Sequence, residues 1–355
     1  MGANKNITKN SSLRYLWGLI PVILLLLLWI VPILEIETRA SQLPIKDKIE
    51  LEDKLRTTLA QIFGGLFLLS GAYFSWRTLN QNKESQITDR FYKAVEQLGN
   101  IAPKNQAVQI GGVFALERIA IDSPKDHWTI MEVLCSYIRM NSPVAGPYEK
   151  VVGHANLHKK NKGGSSNTIF PDHVIQTIIT VLGRRNTLRE SVSERLDLRN
   201  TYLRGANFTG GDFSKTLFDG SHLEWSKFNH ANLENTSFND SHMEMASLRN
   251  TTMIKSSFID SYMEGADLRN SNLSDSNLLY SHIQDSIVNN CNVKGAKFDL
   301  ANITNVDIGG FVNLTDEQIG EAVVRLDPND NALTIIKEMK SSDREKLKNG
   351  QSVED

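Results

Sequence analysis

The sequence predicts a multi-domain α+β protein with two transmembrane helices, a small α-helical domain, a square β-helical rod and a C-terminal helical cap. Three features of the chain lead to this prediction. Two uncharged stretches of twenty residues lie near the N-terminus, amphipathic helical segments follow them, and from residue 196 onward a bulky apolar residue returns at every fifth position. At 355 residues the chain is too long for one domain of ordinary size.

The first uncharged stretch is YLWGLIPVILLLLLWIVPIL, residues 15–34. Its length matches a helix that spans the hydrocarbon core of a bilayer. A signal peptide is the alternative, but the apolar part of a signal peptide is usually about 7–15 residues long and ends at a small-residue cleavage site. This run is longer and is followed by EIET. We therefore expect a retained transmembrane helix with Trp17 and Trp29 near the two membrane interfaces.

The second uncharged stretch, residues 57–76, contains Gly64, Gly65 and Gly71. Small residues allow transmembrane helices to approach closely, so we expect these glycines to pack against the first span or against a second copy of the chain. A pore is the alternative, but neither span contains an ionisable residue that would mark an ion path. The two spans form a predicted hairpin over residues 15–79.

Basic residues flank the hairpin on both sides. Lys5, Lys9 and Arg14 precede the first span, and Arg77 and Lys83 follow the second. Because positively charged flanks stay in the cytoplasm, we expect both termini to be cytoplasmic. The segment between the spans, residues 46–56, is helix-prone and could extend the second span outward.

Residues 80–195 predict a small helical domain. Residues 141–170 contain prolines and the run KKNKGGSSN, which indicates a mobile loop whose Lys159, Lys160 and Lys162 face solvent or touch acidic lipid headgroups. Four helices are predicted: over residues 87–100, 108–121 and 173–185, and within DSPKDHWTIMEVLCSYIRM, where Ser123 is the expected N-cap and Pro124 the first helical residue.

Isolated reactive side chains in this chain favour structural roles. His127 near a helix start is interpreted as a capping or packing residue rather than a catalytic one. Cys135 and Cys291 are far apart and lack metal-ligand spacing, which predicts buried reduced thiols. The net charge of −2 argues against a dedicated nucleic-acid binder. The charge is nevertheless uneven, since residues 80–195 carry 15 basic and 11 acidic groups whereas residues 196–310 carry 9 and 14.

A strict period of five governs residues 196–310. Bulky apolar residues occupy every fifth position from Leu198 to Ile308, and the residue two places earlier is usually Ala, Ser or Thr. A helix needs a period of 3.6 and a strand a period of 2, so the pattern predicts a solenoid instead. A square coil with five residues per side and twenty per turn satisfies it, and stacked turns then lie at strand spacing, about 4.8 Å apart.

The repeats resemble those of the pentapeptide-repeat proteins. Their pattern A-[DN]-[LF]-x-x stands here as ANFTG (206–210), ANLEN (231–235) and ADLRN (266–270). The upstream segments FYKAVEQLGN, GGVFALERIA and VLGRR resemble bacterial membrane-anchored members. The resemblance implies a right-handed quadrilateral β-helix, an inner-membrane location with the rod in the cytoplasm, and no common enzymatic activity. Some soluble members of the family mimic B-DNA and bind type II topoisomerases.

Cap helices are predicted after the rod, over residues 311–340. NLTDEQIGEAVVRL (313–326) predicts a helix capped by Thr315, whose apolar side chains would cover the open end of the rod. The resemblance implies that this end can also form dimers, so a homo-oligomer through the transmembrane helices or the C-terminal helix is expected. The tail, residues 341–355, is expected to be disordered.

Residues twenty apart lie above one another in such a coil, and one side of the rod therefore carries a strip of rings and carboxylates. We take it as a candidate partner-binding face. The alternatives are a ladder of stacked like side chains and a metal site, although the columns lack a second ligand set. Its candidate residues are Tyr202, His222, Glu224, His242, Glu244, Tyr262, Glu264 and His282.

The function predicted from these features is a non-catalytic, membrane-tethered scaffold that presents the rod to an unknown protein partner. No catalytic, cofactor or metal site is predicted, because the sequence contains no Walker A, G-x-S-x-G, H-E-x-x-H or Rossmann motif. Two alternatives stay open: a membrane-disrupting or stress and phage-defence effector, and a DNA-mimicking binder of a type II topoisomerase. A net charge of −5 for the rod is weak for DNA mimicry.

Overall fold

The computed structural model describes residues 26–27, 29–35, 38, 44–100, 105–144, 171–320, 322–324 and 334–336. The chain divides into two compact units, Met1–Ile87 and Thr88–Asp355. The predicted segment 1–14, most of the predicted loop 141–170 and the predicted tail 341–355 lie outside the described residues.

Helix α1 (Ile45–Leu98) is the one helix in the described part of the chain that is long and apolar enough to cross a membrane, with a mean hydropathy of 1.3 over its most apolar window. Residues 26–27 and 29–35 are also helical, but most of the predicted first span lies outside the described residues. One long apolar helix is therefore observed where two spans are predicted. The predicted separate helix start at residue 87 is wrong, because residues 77–88 contain no proline or glycine that would interrupt α1.

Three further helices form the small helical domain: α2 (Gln106–Asp122), α3 (His127–Asn141) and α4 (His173–Gly183). Gly112 of α2 approaches the end of α1 so closely that a Cβ there would lie 2.7 Å from the carbonyl oxygen of Ala94. The prediction that Ser123 caps α3 is wrong by one turn. The Ser123 hydroxyl donates to Asp126 Oδ2 at 2.6 Å in a preceding turn, and the helix starts only at His127.

The rod is a β-helix whose successive turns pair in parallel. Bridges join residues twenty apart in four columns, which begin Tyr202↔His222, Asn207↔Lys227, Asp212↔Asn232 and Leu217↔Ser237. Four paired columns per twenty residues define four faces, as the period of five predicts. Each bridge is closed by backbone hydrogen bonds between neighbouring turns, such as Leu223 N–H to the His242 carbonyl at 2.6 Å.

The interior of the rod is filled by stacked side chains. Phe218, Phe238 and Phe258 stack in nearly parallel planes with ring centroids 5.1 Å apart. The small inward residues do not leave unpaired polar groups in general: Ser241 and Ser261 donate to the carbonyl oxygens of Phe238 and Phe258 three residues earlier. The bulky and small positions predicted to face inward are thus the core of the rod.

The corners of the square require left-handed backbone. Every fifth residue has a positive φ, from +53° at Asp260 to +70° at Gly295. Glycine, asparagine and aspartate tolerate this conformation best, which explains why they dominate these positions. The corners at Trp225 (φ +57°), Met245 (φ +59°), Tyr280 (φ +58°) and Leu300 (φ +53°) carry bulky side chains instead.

The helical domain covers the N-terminal end of the rod. The Arg139 guanidinium donates to the Asp197 carbonyl at 2.6 Å, and the Gln176 side-chain amide exchanges two hydrogen bonds with the backbone of Asn207. The buried Arg185 side chain pairs with Glu190 and donates to the Asp212 carbonyl. The first turn of the rod is therefore not an open sheet edge.

The C-terminal end is closed by a strand as well as a helix. Strand β1 (Cys291–Asn292) pairs in parallel with β2 (Phe311–Val312). Helix α5 (Asp316–Gly320) is short, and β3 (Val323–Val324), paired with β4 (Thr334–Ile335), bridges to Asn302 of the last turn.

The predicted helix over residues 313–326 is therefore wrong at residues 322–324, which are not helical. The free backbone groups of the last turn bind the chain as a strand there: Val323 N–H donates to the Ala301 carbonyl, and the Val323 carbonyl accepts from Ile303 N–H. Thr315 does cap α5, because its hydroxyl accepts from Gln318 N–H at 3.2 Å while the Gln318 side chain accepts from Thr315 N–H.

The corner geometry predicts a stabilising substitution. Tyr280→Asn places a residue that tolerates positive φ at a corner where nearly half of the tyrosine side chain is exposed, so little burial is lost. We expect an increase of about 1 kcal/mol in the free energy of unfolding, measured by urea denaturation. The reverse change at an equivalent corner, Asn250→Tyr, should lower it by a similar amount. Equal stability of both variants and the wild type would contradict the proposed corner strain.

Candidate interaction face

One face of the rod carries two parallel columns of side chains, which we call the ring-and-carboxylate strip. Residues at the second and fourth positions of this face point to the same side, one turn above another. The structure brings together all eight candidate residues predicted from the sequence. The ring column is Tyr202, His222, His242, Tyr262 and His282, and the second column is Arg204, Glu224, Glu244, Glu264 and Gln284.

The rings of the first column stack continuously. The centroid distance is 5.6 Å between Tyr202 and His222 and 4.7 Å for each later pair up to His282. The rings of His242, Tyr262 and His282 are nearly parallel, with interplanar angles of 5° and 9°. The predicted ladder of like side chains therefore exists, and it holds the ring edges in a fixed row.

The carboxylates of the second column bind the neighbouring rings. Nδ1 of His222 lies 3.2 Å from Glu224 Oε1, and Nδ1 of His242 lies 3.2 Å from Glu244 Oε1. One turn further, Glu264 Oε1 accepts from the Gln284 side-chain amide at 2.8 Å. Each glutamate thus uses one oxygen, whereas Oε2 of Glu224, Glu244 and Glu264 is buried without a hydrogen-bond partner among the described residues.

These contacts change the proton affinities along the strip. Burial, together with the nearby Glu244 carboxylate, raises the pKa of Glu264 to about 7. Burial is the largest influence on Glu224 and acts to raise its pKa, but the hydrogen bond from His222, a backbone hydrogen bond and the charges of His222 and Arg204 together hold that pKa below its usual value. The hydrogen bond to Glu244 raises the pKa of His242, whereas burial lowers that of His282. The strip therefore contains groups that titrate near neutral pH.

The strip is less exposed than an outward-facing position suggests. The side chains of His242 and Glu244 are each only 22 % exposed because the turns above and below cover their faces. Met245, at the following corner, is 60 % exposed. The stacking therefore covers most of the His242 and Glu244 side chains and leaves Met245 exposed.

Arg204 and Trp225 complete the lower end of the strip. The Arg204 guanidinium carbon lies 4.6 Å from the centre of the Trp225 ring, Nη1 donates to the Tyr202 hydroxyl at 3.0 Å, and Nε lies 3.4 Å from Glu224 Oε1. The sequence pattern does not predict the contact between Arg204 and Trp225, because the left-handed corner at Trp225 turns that ring toward the preceding turn.

A metal site at the strip is not favoured. Across the described residues, no group of three or more His, Cys, Asp or Glu side chains is arranged to hold a metal ion. The reason is the period itself: each turn offers one ring and at most one carboxylate, and in the turns of His222 and His242 the two already bind each other.

Other residues singled out by the sequence have structural roles. The buried His127 lies 3.5 Å from Glu190, within the cluster that Arg185 joins to the rod. Both cysteines are free and buried, and burial raises the pKa of Cys135 to about 12 and that of Cys291 to about 11. Such thiols are poor nucleophiles. The stacked asparagines form an amide ladder, as in the 2.9 Å bond from Asn290 to Asn270.

The three glycines of the predicted membrane span lie on an open helix surface. A Cβ at Gly64, Gly65 or Gly71 would meet no heavy atom within 4 Å among the described residues. Their predicted role in helix packing therefore stays a prediction.

Comparison with known proteins identifies the repeats of the rod. Its geometry is that of a solenoid with twenty residues per turn, in four sides of five residues. The model of the family described as pentapeptide repeats matches residues 188–220, 216–254 and 253–287 with 8 copies. The rod of this chain is therefore a pentapeptide-repeat β-helix. No curated protein matches the chain.

Several solved structures are similar to part of this chain. A pentapeptide repeat protein from the Arabidopsis thaliana thylakoid lumen is 23 % identical, with 31 % of this chain and 72 % of that one covered and a TM-score of 0.27. HetL from Nostoc sp. PCC 7120, involved in heterocyst differentiation regulation, is 18 % identical over 33 % and 55 %, with a TM-score of 0.24. QnrB1, a plasmid-mediated fluoroquinolone resistance protein, is 18 % identical over 37 % and 82 %, also at 0.24. At these values the likeness carries no conclusion about function.

The raised pKa of Glu264 predicts a pH-dependent effect of Glu264→Gln. Between the ordinary glutamate pKa and about 7, the folded protein holds a proton that the unfolded chain has lost, so stability falls as pH rises through this window. Glutamine cannot ionise, so the variant avoids the free-energy cost of a buried negative charge. Gln284 occupies the same column one turn above. We expect the variant to exceed the wild type by about 1 kcal/mol at pH 8, after allowance for solvent screening, and to match it near pH 4.

Urea denaturation of the full chain at both pH values measures this difference. Glu234→Gln is the matched control, because Glu234 occupies the same position of a repeat on another face. It should show no such pH-dependent gain. Parallel pH profiles for Glu264→Gln and the wild type would rule out the buried carboxylate as the cause.

Proposed function

We propose that the protein is a non-catalytic, membrane-tethered scaffold that holds its β-helical rod at the cytoplasmic side of a bacterial inner membrane and presents one face of it to a protein partner. The observation that carries the proposal is the exposed apolar surface of α1, a helix that belongs to the same chain as the densely packed rod. Leu66, Phe67, Leu68 and Leu69 are 57–74 % exposed, and none of the most apolar window of α1 is buried in the described structure.

An exposed apolar surface of this length calls for cover by lipid or protein. The uncharged residues 57–76 have the length that a bilayer core requires. Basic residues flank the predicted hairpin on the side of the rod, which favours a cytoplasmic rod. Gly64, Gly65 and Gly71 offer a small-residue seam for association of copies in the membrane.

The solid interior of the rod favours a function at its outer surface. Its inward side chains, from Leu198 to Ile303, are at most 2 % exposed at the bulky positions, so the coil leaves no room for a ligand inside. The outer faces carry the variable residues. The ring-and-carboxylate strip is the outer feature that the repeat does not require, because the fold specifies only the inward positions and the corners.

Membrane tethering is tested by adding charge to the proposed spans. In Leu26→Lys/Ile30→Lys/Phe67→Lys/Leu69→Lys, each lysine costs about 3 kcal/mol near the centre of a bilayer. We expect the wild type to stay in the membrane fraction after carbonate extraction and the variant to be lost from it.

A variant with the same number of added charges elsewhere is the control. Leu188→Lys/Val192→Lys/Ile287→Lys/Leu300→Lys changes apolar side chains outside the proposed spans, which are 37–95 % exposed. It should remain in the membrane fraction. Extraction of the wild type by carbonate would refute the tether.

Presentation of the strip is tested by crosslinking in the cell. A photo-crosslinking amino acid at the exposed corner Met245 should capture a specific partner, identified by mass spectrometry. His222→Asn/His242→Asn/His282→Asn should reduce the product several-fold while circular dichroism stays unchanged, since asparagine is common on this rod.

The matched control, Lys227→Asn/Ser247→Asn/Ile287→Asn, changes the equivalent positions of the next face in the same three turns. It should leave the product unchanged. If both triple variants give as much product as the wild type, the strip is not the partner face.

A further inference from the structure

Charge is sharply segregated around the rod. In the four turns from residue 220 to 299, the face of the strip with its two corners (220–225, 240–245, 260–265 and 280–285) carries six acidic residues and no lysine or arginine. The remaining positions of the same turns carry four acidic and six basic residues. The face therefore attracts cations although the rod as a whole is only weakly acidic.

The carboxylates of this face lie close together, and the face has no lysine or arginine in these turns to pair with them. They repeat once per turn, with the adjacent rings 4.7 Å apart, and the raised pKa of Glu264 reflects burial and their mutual repulsion. A buried carboxylate oxygen without a donor is costly. Three successive turns each contain such an oxygen: Oε2 of Glu224, Glu244 and Glu264. Because these oxygens are buried, a donor from outside reaches the carboxylates only when their side chains turn toward solvent.

Arg204 shows which donor fits. Its guanidinium occupies the N-terminal end of the strip, where it contacts the Tyr202 and Trp225 rings and pairs with Glu224. The ring and the carboxylate recur in the turns above, and Met245 provides an apolar corner there. Among the described residues, no arginine lies next to them in those turns. A planar cation that stacks on rings and binds carboxylates is arginine rather than lysine.

Among the described residues, the chain segments that contact this face lie at its two ends. The segment Ser142–Val144 pairs with the rod only at Asn200–Tyr202, and Val323 pairs only at Ala301–Ile303. Both contacts lie outside residues 220–285. Four turns give a length of about 14 Å, which four or five extended residues span.

We propose that this face binds an arginine-bearing segment of a partner protein, with guanidinium groups stacked along the ring column and paired with Glu224, Glu244 and Glu264. The proposal rests on the proposed scaffold function and specifies the chemistry of its partner. Association is electrostatic and therefore weakens with salt. Net charge of the whole rod plays no part in it, because the cation-binding groups are confined to one face.

The test uses the full chain in detergent micelles and a fluorescein-labelled peptide with four arginines alternating with glycine, followed by fluorescence anisotropy at low and physiological salt. We expect binding that is several-fold tighter than that of the matching lysine peptide and no binding of the glutamate peptide. Glu224→Gln/Glu244→Gln/Glu264→Gln should weaken binding about ten-fold, the effect of removing three partly exposed ion pairs. Glutamine is already present in this column as Gln284, so the variant should fold, which thermal unfolding checks.

The control Glu234→Gln/Asp275→Asn/Asp299→Asn removes the same number of charges from the other faces and should change affinity less than three-fold. Equal losses in both triple variants would mean general attraction only and would overturn the proposal. So would equal affinity for the arginine and lysine peptides.

The chain's own lysines are a competing occupant. If Lys159→Gln/Lys160→Gln/Lys162→Gln binds the arginine peptide ten-fold more tightly than the wild type, the face is filled by its own chain and the partner proposal fails; unchanged affinity supports it. Peptide binding in detergent does not depend on membrane insertion. Failure here with an intact crosslink at Met245 would overturn the arginine assignment and leave the scaffold function standing.

Discussion

The hydrogen bonds between successive turns of the rod are the constraint on which the other features depend. Each pairs a residue with the one twenty positions away, so any property of one turn is placed directly against the same property of the next. Phenylalanines then stack on phenylalanines, serines bind within their own turn and rings align in a column. A weak local preference is repeated along the rod and becomes a continuous core or a continuous surface.

The same constraint explains why the rod could be predicted from the sequence. Inward residues such as Leu198 and Phe238 obey the period without interruption, and the column arithmetic placed all eight strip residues on one side. Elsewhere the sequence was less informative. The start of α3 is set by the turn at Ser123, whose hydroxyl binds Asp126. The end of α5 is set by the following residues, which pair with the rod edge at Asn302. Tertiary competition of this kind overrides local helix signals.

The physical state of the strip was also beyond reach of the sequence. Its pattern shows which residues recur but gives no measure of their burial, and it is burial that raises the pKa of Glu264. Counting charge over the whole rod concealed the acidic face, because the basic residues on the other three faces cancel it. The contact between Arg204 and Trp225 depends on a left-handed corner at Trp225, which no propensity of tryptophan would suggest.

The four-sided turn also governs how such a rod can change length. An insertion of twenty residues adds one turn and leaves every later side chain on its original face, whereas an insertion of five turns the remainder of the rod by a quarter revolution. The single extra residue between the pairs Cys291↔Phe311 and Asn302↔Val323 lies where the coil ends, so no later turn has to follow it. The length of the rod and the direction in which a surface faces can thus change independently, and the number of inserted residues determines both.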